Sequence, residues 1–231
     1  MPPEQHFGSP GELLSAVNRY QQTRELLDGD DRFSLPDGMF EKQEDWGGRY
    51  VLIPATTDLA FLFWGQGAFY QQCLPTLLRR EWEPLDLFIE RMRVVEFELM
   101  LQRYPAVQYF SREHLMLGYV GLAQHYGLLT DVLNLTSDVH TALFFAMCDY
   151  DTVNDCYKAK KDDKEYIGYL YAYPAVASAM QNNGSAFCRF LKEELRVIGL
   201  QPFIRPGAQR GFSLHISKDN PFKGCLYSFL K

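Results

Sequence analysis

Several features that would assign a chain to a membrane, secreted or metal-binding class are missing from this sequence. No apolar run approaches the roughly 20 residues that a membrane-spanning helix needs, and the first residues lack the basic and apolar regions of a secretory signal. The five cysteines are scattered, odd in number and without a Cys-x-x-Cys spacing, which argues against a disulfide framework and a structural zinc site. We therefore expect a soluble, cytoplasmic protein with reduced thiols, no metal and no membrane association.

Blocks of like charge are also missing. The formal net charge is −6, and charged residues make up 23% of the chain. Nucleic-acid binding by phosphate neutralisation requires clustered lysine and arginine, so a nucleic-acid partner is not expected. Hydrophobic residues make up 47% and aromatic residues 15% of the 231 residues. That composition is sufficient for a large core, and a high aromatic content also suits a protein interface.

The order of the predicted elements indicates an α+β fold with a mixed sheet flanked by helices, because strands and helices do not alternate regularly. Helices are predicted to begin at Ser9 and Pro10, at Pro84, near Ser111, at Thr136 or Ser137, and at about Phe187. Strands are predicted over 50–53, 59–64, 166–173, 212–216 and 225–230. No segment resembles a flexible linker, so we expect an N-terminal helix and loop extension over residues 1–58 and one domain over 59–231.

The apolar run over 59–64 is the strongest strand signal. It has no polar alternation, which is typical of a central strand covered on both faces, and Gly65-Gln66-Gly67 is predicted to end it. Residues 30–48 are polar and are predicted to form a long loop or a loop with one turn of helix, and the polar, charged residues 149–164 are predicted to form a solvated loop. Gly127 is predicted to end a helix in the left-handed conformation.

Polar side chains stand at the predicted ends of several elements. They are Gln66 after the central strand, Gln124 and His125 at a helix end, Thr130 and Asn134 around a short apolar segment, and Gln209 in a turn. Turn formation, capping and the favourable position of a histidine at a helix C-terminus explain them without a ligand. The alternative is a ligand site in which the imidazole of His125 contacts a ligand or moves a proton. Glycine-rich phosphate loops and catalytic-triad motifs are absent, so the sequence leaves both interpretations open.

Four segments carry a resemblance to a known family. They are Phe63-Trp64-Gly65-Gln66, Leu74-Pro75-Thr76-Leu77, the segment over 123–136 with the helix Ala142–Ala146 behind it, and Gln209-Arg210-Gly211-Phe212. The segment over 123–136 is the most specific, because the family has Ala-Gln-His-x-Gly-x-Pro-Thr-Arg-Leu-Leu-Asp-Trp-Thr there. Together these segments resemble the FRG domain family, which is named for an aromatic-Arg-Gly motif.

The chain departs from the family pattern mainly at charged positions. Trp64 stands in place of the signature arginine, and Asp131 stands in place of a second arginine. Asn134 replaces an aspartate, and Leu135 replaces a tryptophan. The resemblance implies a bacterial or phage protein of a conflict-type system, with a layout similar to ADP-ribosyltransferase folds.

Two functional hypotheses follow from the resemblance. The first is a non-catalytic interaction or regulatory module with a protein partner, which the loss of the family's charged groups favours. The second is an NAD- or nucleotide-dependent enzyme of the ADP-ribosyltransferase type, with His125 as its catalytic residue and NAD as its cofactor. The ligand contacts of that site would be Gln66, Gln124, His125, Thr130, Asn134 and Gln209.

Overall fold

A computed structural model describes residues 5–27, 40–44, 48–54, 61–70, 73–160, 167–173, 195–198, 203–217, 222 and 225–230. The helices are α1 (Pro10–Leu27), α2 (Pro84–Leu101), α3 (Pro105–Arg112), α4 (Tyr119–His125), α5 (Val139–Met147) and α6 (Ile204–Ala208). The strands are β1 (Gln5–Phe7), β2 (Phe40–Glu44), β3 (Tyr50–Pro54), β4 (Leu62–Gln66), β5 (Val132–Thr136), β6 (Cys148–Asp151), β7 (Cys156–Ala159), β8 (Ile167–Tyr173), β9 (Leu195–Val197), β10 (Gly211–His215) and β11 (Cys225–Leu230). The predicted α+β fold is confirmed.

The main sheet has seven strands in the order β1-β11-β8-β4-β5-β10-β9. It is mixed, as predicted, because β1 runs parallel to β11 while the other neighbours are antiparallel. Strand β4 lies at its centre, where the sequence predicted a central strand. The strand includes Gly65 and Gln66 and ends before Gly67, so it stops within the predicted Gly65-Gln66-Gly67 segment, two residues later than the predicted strand end at Trp64.

One face of the sheet is covered by α1 and α5. Phe63 packs there with Ala142, Leu143 and Phe229 in a buried cluster that also contains Leu13 of α1. The N-terminal helix therefore shares the core of the strands that follow it. Farther along the same face, α4 lies over β10, because a Cβ on Gly121 would meet the Ser213 Cβ at 3.3 Å.

The opposite face carries an aromatic and aliphatic cluster. Its buried members are Leu62, Leu133, Leu135, Tyr173, Leu195, Phe212, Leu214 and Ile216, and Trp64, Cys73, Leu74 and Phe222 pack against them. The alternation of side chains along a strand explains the division, because Leu62 and Trp64 point to this face while Phe63 and Gly65 point to α5.

Two predicted loops contain strands, and one predicted helix is divided. The polar segment 40–44 pairs with β3, and β6 pairs with β7 inside the segment that was predicted to be a solvated loop. Ser111 lies inside α3 and does not begin a helix; the chain leaves α3 through His114, which has a positive φ of 57°. Backbone in that left-handed region interrupts a helix, and the chain resumes it at Tyr119.

The ends of two other predicted helices differ from expectation. Asp138 caps α5 and accepts hydrogen bonds from the backbone N–H groups of His140 and Thr141, so Thr136 and Ser137 are not the caps. Most of the helix predicted over 187–198 lies outside the described residues, but its last part is strand β9. Gly127 has a φ of 87°, which confirms the left-handed conformation predicted for it.

Candidate functional site

Trp64 occupies the position of the family's signature arginine. Its ring lies 5.3 Å from the Tyr171 ring and 6.0 Å from the Phe222 ring, centroid to centroid. Phe222 also stacks on Tyr173 at 5.7 Å. Aromatic pairs at these separations stabilise a fold beyond the area they bury. The indole is therefore part of the packing on this face of the sheet.

Gly65 is required by the close approach of β4 to α5. A Cβ at this position would lie 1.6 Å from the carbonyl oxygen and 2.5 Å from the carbonyl carbon of Ala142. Both atoms belong to the helix backbone, so no side-chain rotation could make room for a methyl group. The glycine of the aromatic-Arg-Gly motif thus has a structural role here.

Gln66 lies on the opposite side of the sheet from α5, because it follows Gly65 in the alternation of the strand. It is buried, and its Oε1 atom has no hydrogen-bond partner among the described residues. Directly opposite it on β8 is Tyr169, whose ring contacts the ring of Phe69 at 5.6 Å. Gln66 is therefore separated by the sheet from the predicted site residues on the helix-covered face.

Gln124 and Thr130 are bonded to each other. The Thr130 hydroxyl donates to Gln124 Oε1 at 2.9 Å, and Thr130 is only 2% exposed. The backbone of Thr130 is also fixed, because its N–H donates to Thr76 Oγ1 and its carbonyl accepts from the Leu77 N–H at 3.0 Å. These two predicted ligand contacts hold the end of α4 to the turn at 76–78.

His125 lies over the junction of β5 and β10. A Cβ on Gly211 would be 3.4 Å from His125 Nε2, so the absence of a side chain at Gly211 leaves room for the imidazole. Gly211 pairs with Thr136 across the sheet. The ring is therefore held at the end of α4 against two neighbouring strand ends.

Asn134 points to the same face of the sheet as Thr136, two residues away along β5. Its Oδ1 atom is buried without a hydrogen-bond partner among the described residues, and the same is true of Ser137 Oγ. An unsatisfied buried polar atom costs about 1–3 kcal/mol. Such atoms call for an explanation. Ser137 is not among the predicted ligand contacts, because the sequence indicated it only as a possible helix cap.

Gln209 contributes its backbone to the same region. The Thr136 hydroxyl donates to the Gln209 carbonyl at 2.8 Å, and the Ser137 N–H donates to the Arg210 carbonyl at 3.3 Å. The turn before β10 is thereby tied to the end of β5. His125, Asn134 and Gln209 are thus brought to one region, whereas Gln124 and Thr130 are bonded to each other and Gln66 lies on the other face.

Asp131 stands where the family has its second arginine. Its carboxylate lies 3.2 Å from His215 Nε2, across the pair formed by the start of β5 and the end of β10. The local charge at this position is opposite to that of the family pattern. A carboxylate here repels an anionic ligand, and its partner is charged only when the imidazole is protonated.

The side of the sheet that carries Trp64 also holds a poorly reactive thiol. Burial raises the pKa of Cys73 to about 11, although the Tyr171 hydroxyl and the Arg79 charge lower it. Burial likewise raises the pKa of the Tyr171 hydroxyl, and Cys73 raises it further. Both groups are neutral near pH 7, so this region offers neither a thiolate nucleophile nor a phenolate base.

An open groove of about 530 Å³ lies at the start of α2. Its lining includes Arg80, Glu83, Asp86, Glu90 and Arg93, so charges of both signs face it. None of the predicted site residues lines this groove.

In the part of the chain that the structure describes, no three His, Cys, Asp or Glu side chains are grouped to hold a metal ion. No helix among the described residues is long and apolar enough to cross a membrane.

Comparisons with known proteins agree with the motifs. The model of the FRG domain matches residues 60–155, which run from the approach to β4 to the hairpin of β6 and β7. This range includes Trp64, Gly65 and the segment from Gln124 to Thr136. No curated protein and no solved structure gives a significant match to the chain. The chain therefore contains an FRG domain.

Proposed function

We propose that this FRG domain is a non-catalytic interaction or regulatory module that binds a protein partner. The setting that the family resemblance implies is a conflict-type system in the cytoplasm of a bacterium or a bacterium infected by phage. The observation that carries the proposal is the use of Trp64. At the position of the family's signature arginine, this chain has an indole packed against Tyr171 and Phe222.

Replacement of the family's arginine by Trp64 removes a specific chemical capability. The planar guanidinium of an arginine binds phosphate or carboxylate with two parallel hydrogen bonds. An indole has one N–H donor and no charge, so it cannot replace that interaction. The position now contributes to packing, which supports a role that does not depend on anion binding.

Asp131 supports the same proposal independently. The family pattern has an arginine there, and this chain has a carboxylate that lies 3.2 Å from His215 Nε2. With both family arginines replaced, two cations suited to the phosphates of a nucleotide are lost. A nucleotide bound in the family's manner would meet a negative charge at the second position.

The test is the thermal stability of the purified chain with NAD, ATP and ADP-ribose, together with an assay for NAD consumption. A ligand at about 100 times its dissociation constant stabilises a protein by about 2.7 kcal/mol. For a chain of this size, that raises the unfolding midpoint by about 5–10 °C. We expect no shift and no NAD consumption; a shift of this size with turnover would contradict the proposal.

The second candidate function is the NAD- or nucleotide-dependent enzyme with His125 as its catalytic residue. The specific observation in its favour is that Asn134 Oδ1 and Ser137 Oγ are buried beside the β5–β10 junction without partners among the described residues. A ligand with hydrogen-bond donors would satisfy Asn134 Oδ1, which lies on the face of the sheet that His125 covers. NAD carries such donors on its ribose hydroxyls and its amide group.

A variant pair separates the two candidate functions. If a nucleotide raises the unfolding midpoint, His125→Ala is expected to abolish the shift under the enzyme hypothesis. His140→Ala is the matched control, because His140 is exposed at the start of α5. A shift that both variants keep would place the ligand elsewhere and would refute the site around His125.

A further inference from the structure

Helix α2 presents an apolar stripe to solvent. Leu85, Phe88, Met92, Val95 and Leu99 are each between 45% and 68% exposed. Five side chains of this size, each about half exposed, offer on the order of a few hundred Å² of apolar surface, which is the size at which patches mark interaction sites. This seam, as we call these five residues, is therefore larger than scattered surface residues would produce.

The seam is separate from the face by which α2 joins the protein. Leu101 is 4% exposed and belongs to the buried cluster with Leu122 of α4, and Phe97 packs against that cluster. The Phe97 ring also lies 5.9 Å from the Tyr126 ring. An amphipathic surface helix needs only this one apolar face. The second apolar face is thus not explained by the fold of the described residues.

The spacing of the seam is that of a coiled coil. Its residues follow one another at intervals of three, four, three and four positions, which is the a/d pattern of a heptad repeat. Leu85, Met92 and Leu99 occupy a positions, and Phe88 and Val95 occupy d positions. A helix packed only against its own domain has no need of this second, regular stripe. The pattern therefore indicates another helix as the occupant.

The charges beside the seam indicate which helix packs against it. Arg91 occupies a g position, and Glu96, five residues later, occupies the following e position. In a parallel pair of identical helices, these two positions face each other across the seam and form ion pairs that set partner choice. Both side chains are exposed, and neither forms an ion pair with another described residue. By contrast, the adjacent Arg93 is already paired with Glu90 at 2.7 Å.

We propose that two copies of this chain associate through parallel α2 helices, with the seam buried and Arg91 of each copy paired with Glu96 of the other. The helix has 18 residues and therefore spans about 27 Å, which provides only about two and a half heptads. An isolated helix of that length is marginal in water. Here the helix is already held in place by α4, so association does not have to order it.

The proposal is independent of the proposed function, since self-association requires neither a nucleotide site nor its loss. The experiment is sedimentation equilibrium of the full chain from 1 to 200 µM, about the range in which a short interface dissociates. The wild type is expected to have the mass of a dimer at the upper end of this range. Met92→Lys places a charge in the seam, and we expect it to be a monomer throughout.

The ion pairs are tested by reversing them. We expect Arg91→Glu alone and Glu96→Arg alone to weaken dimerisation at least tenfold, because each places like charges opposite each other twice. The double variant Arg91→Glu, Glu96→Arg restores opposite charges in a parallel pair and is expected to regain dimerisation to within about threefold. That rescue distinguishes self-association from a complex with an unrelated helix.

Two matched controls keep the result interpretable. Val153→Lys makes the same kind of change at a residue that is 89% exposed on the β6–β7 turn, and Arg112→Glu reverses an exposed charge on α3. Both should dimerise like the wild type, and circular dichroism should give the same spectrum for every variant. A wild type that stays monomeric at 200 µM overturns the proposal. So does a dimer that Met92→Lys leaves intact or that the double reversal fails to restore.

Discussion

Replacing Gly65 by alanine is expected to destabilise the protein by at least about 3 kcal/mol, the upper part of the range for overpacked cores. The added Cβ would lie 1.6 Å from the Ala142 oxygen, 2.5 Å from the Ala142 carbon and 3.1 Å from the Ala146 nitrogen. A carbon and a carbonyl oxygen normally approach to no less than about 3.3 Å. Strand β4 and helix α5 would therefore have to separate at the centre of the sheet. Phe63 of β4 and Leu143 of α5 belong to one buried hydrophobic cluster there.

The measurement is a thermal melt followed by circular dichroism, with urea unfolding to obtain the free energy. A loss of about 3 kcal/mol corresponds to a decrease in the unfolding midpoint of roughly 6–12 °C for a chain of this size. Gly11→Ala is the matched control, because a Cβ there would meet only the Ser9 Oγ at 3.8 Å in the first turn of α1. That variant should be neutral or more stable by up to about 1 kcal/mol. A Gly65→Ala midpoint within about 2 °C of the wild type would refute the close packing of β4 on α5.

Three further predictions concern single side chains. Thr130→Val keeps the shape of the side chain but leaves Gln124 Oε1 without its donor. Urea unfolding should therefore show that the free energy of unfolding is lower by about 1–3 kcal/mol. An unchanged free energy of unfolding would contradict the hydrogen bond. Asp138→Ala removes the N-cap of α5 and should cost about 1–2 kcal/mol in the same assay, whereas a cost near zero would show that the cap is dispensable. Because burial raises the pKa of Cys73 to about 11 from a usual value of 9.0, its alkylation at pH 8 should be about 100-fold slower in the native protein than in urea, as measured by peptide mass spectrometry. Equal rates in the two states would refute the burial of the thiol.

Predictions from sequence succeeded where side-chain pattern and backbone chemistry point the same way. The strands β8, β10 and β11 were recognised because each is a short run rich in apolar or aromatic residues. Pro84 predicted the start of α2, since a proline at the first helical position lacks only an N–H that would be unsatisfied there. Gly127 was recognised because a left-handed residue after a helix is most often glycine.

The failures share a different physical cause. The β6–β7 hairpin is polar, and it is stabilised by contacts across the turn, such as the ion pair of Lys158 with Asp151. Hydrogen bonding to Lys158 also lowers the pKa of Asp151 to about 2. A polar segment read along the chain does not reveal such pairing. Similarly, no sequence rule would place His114, which is not a glycine, in the left-handed conformation that separates α3 from α4.

The candidate site was only partly accessible from sequence. Strand alternation alone separates Gly65 from Gln66, and this could have indicated that Gln66 faces away from a helix packed on Gly65. It could not show which helix that is. Nor could the spacing between Gln124 and Thr130 show that these side chains bond to each other, since five residues of helix end and turn lie between them. Tertiary packing decided both placements.

Four residues that this chain shares with the family pattern, Gly65, Gln124, Thr130 and Thr136, have structural roles in it. Gly65 allows α5 to approach β4. The Thr130 hydroxyl forms a hydrogen bond with Gln124. The Thr136 hydroxyl donates to the Gln209 carbonyl and accepts from the Asp138 N–H at 3.0 Å. Three of the positions that depart from the pattern, Trp64, Asp131 and Asn134, are positions at which the family pattern has a charged side chain. The match to the family therefore rests in part on groups that build the fold, and it does not by itself imply the family's chemistry. This division of roles is the reason to assay ligand binding and self-association before any catalytic activity.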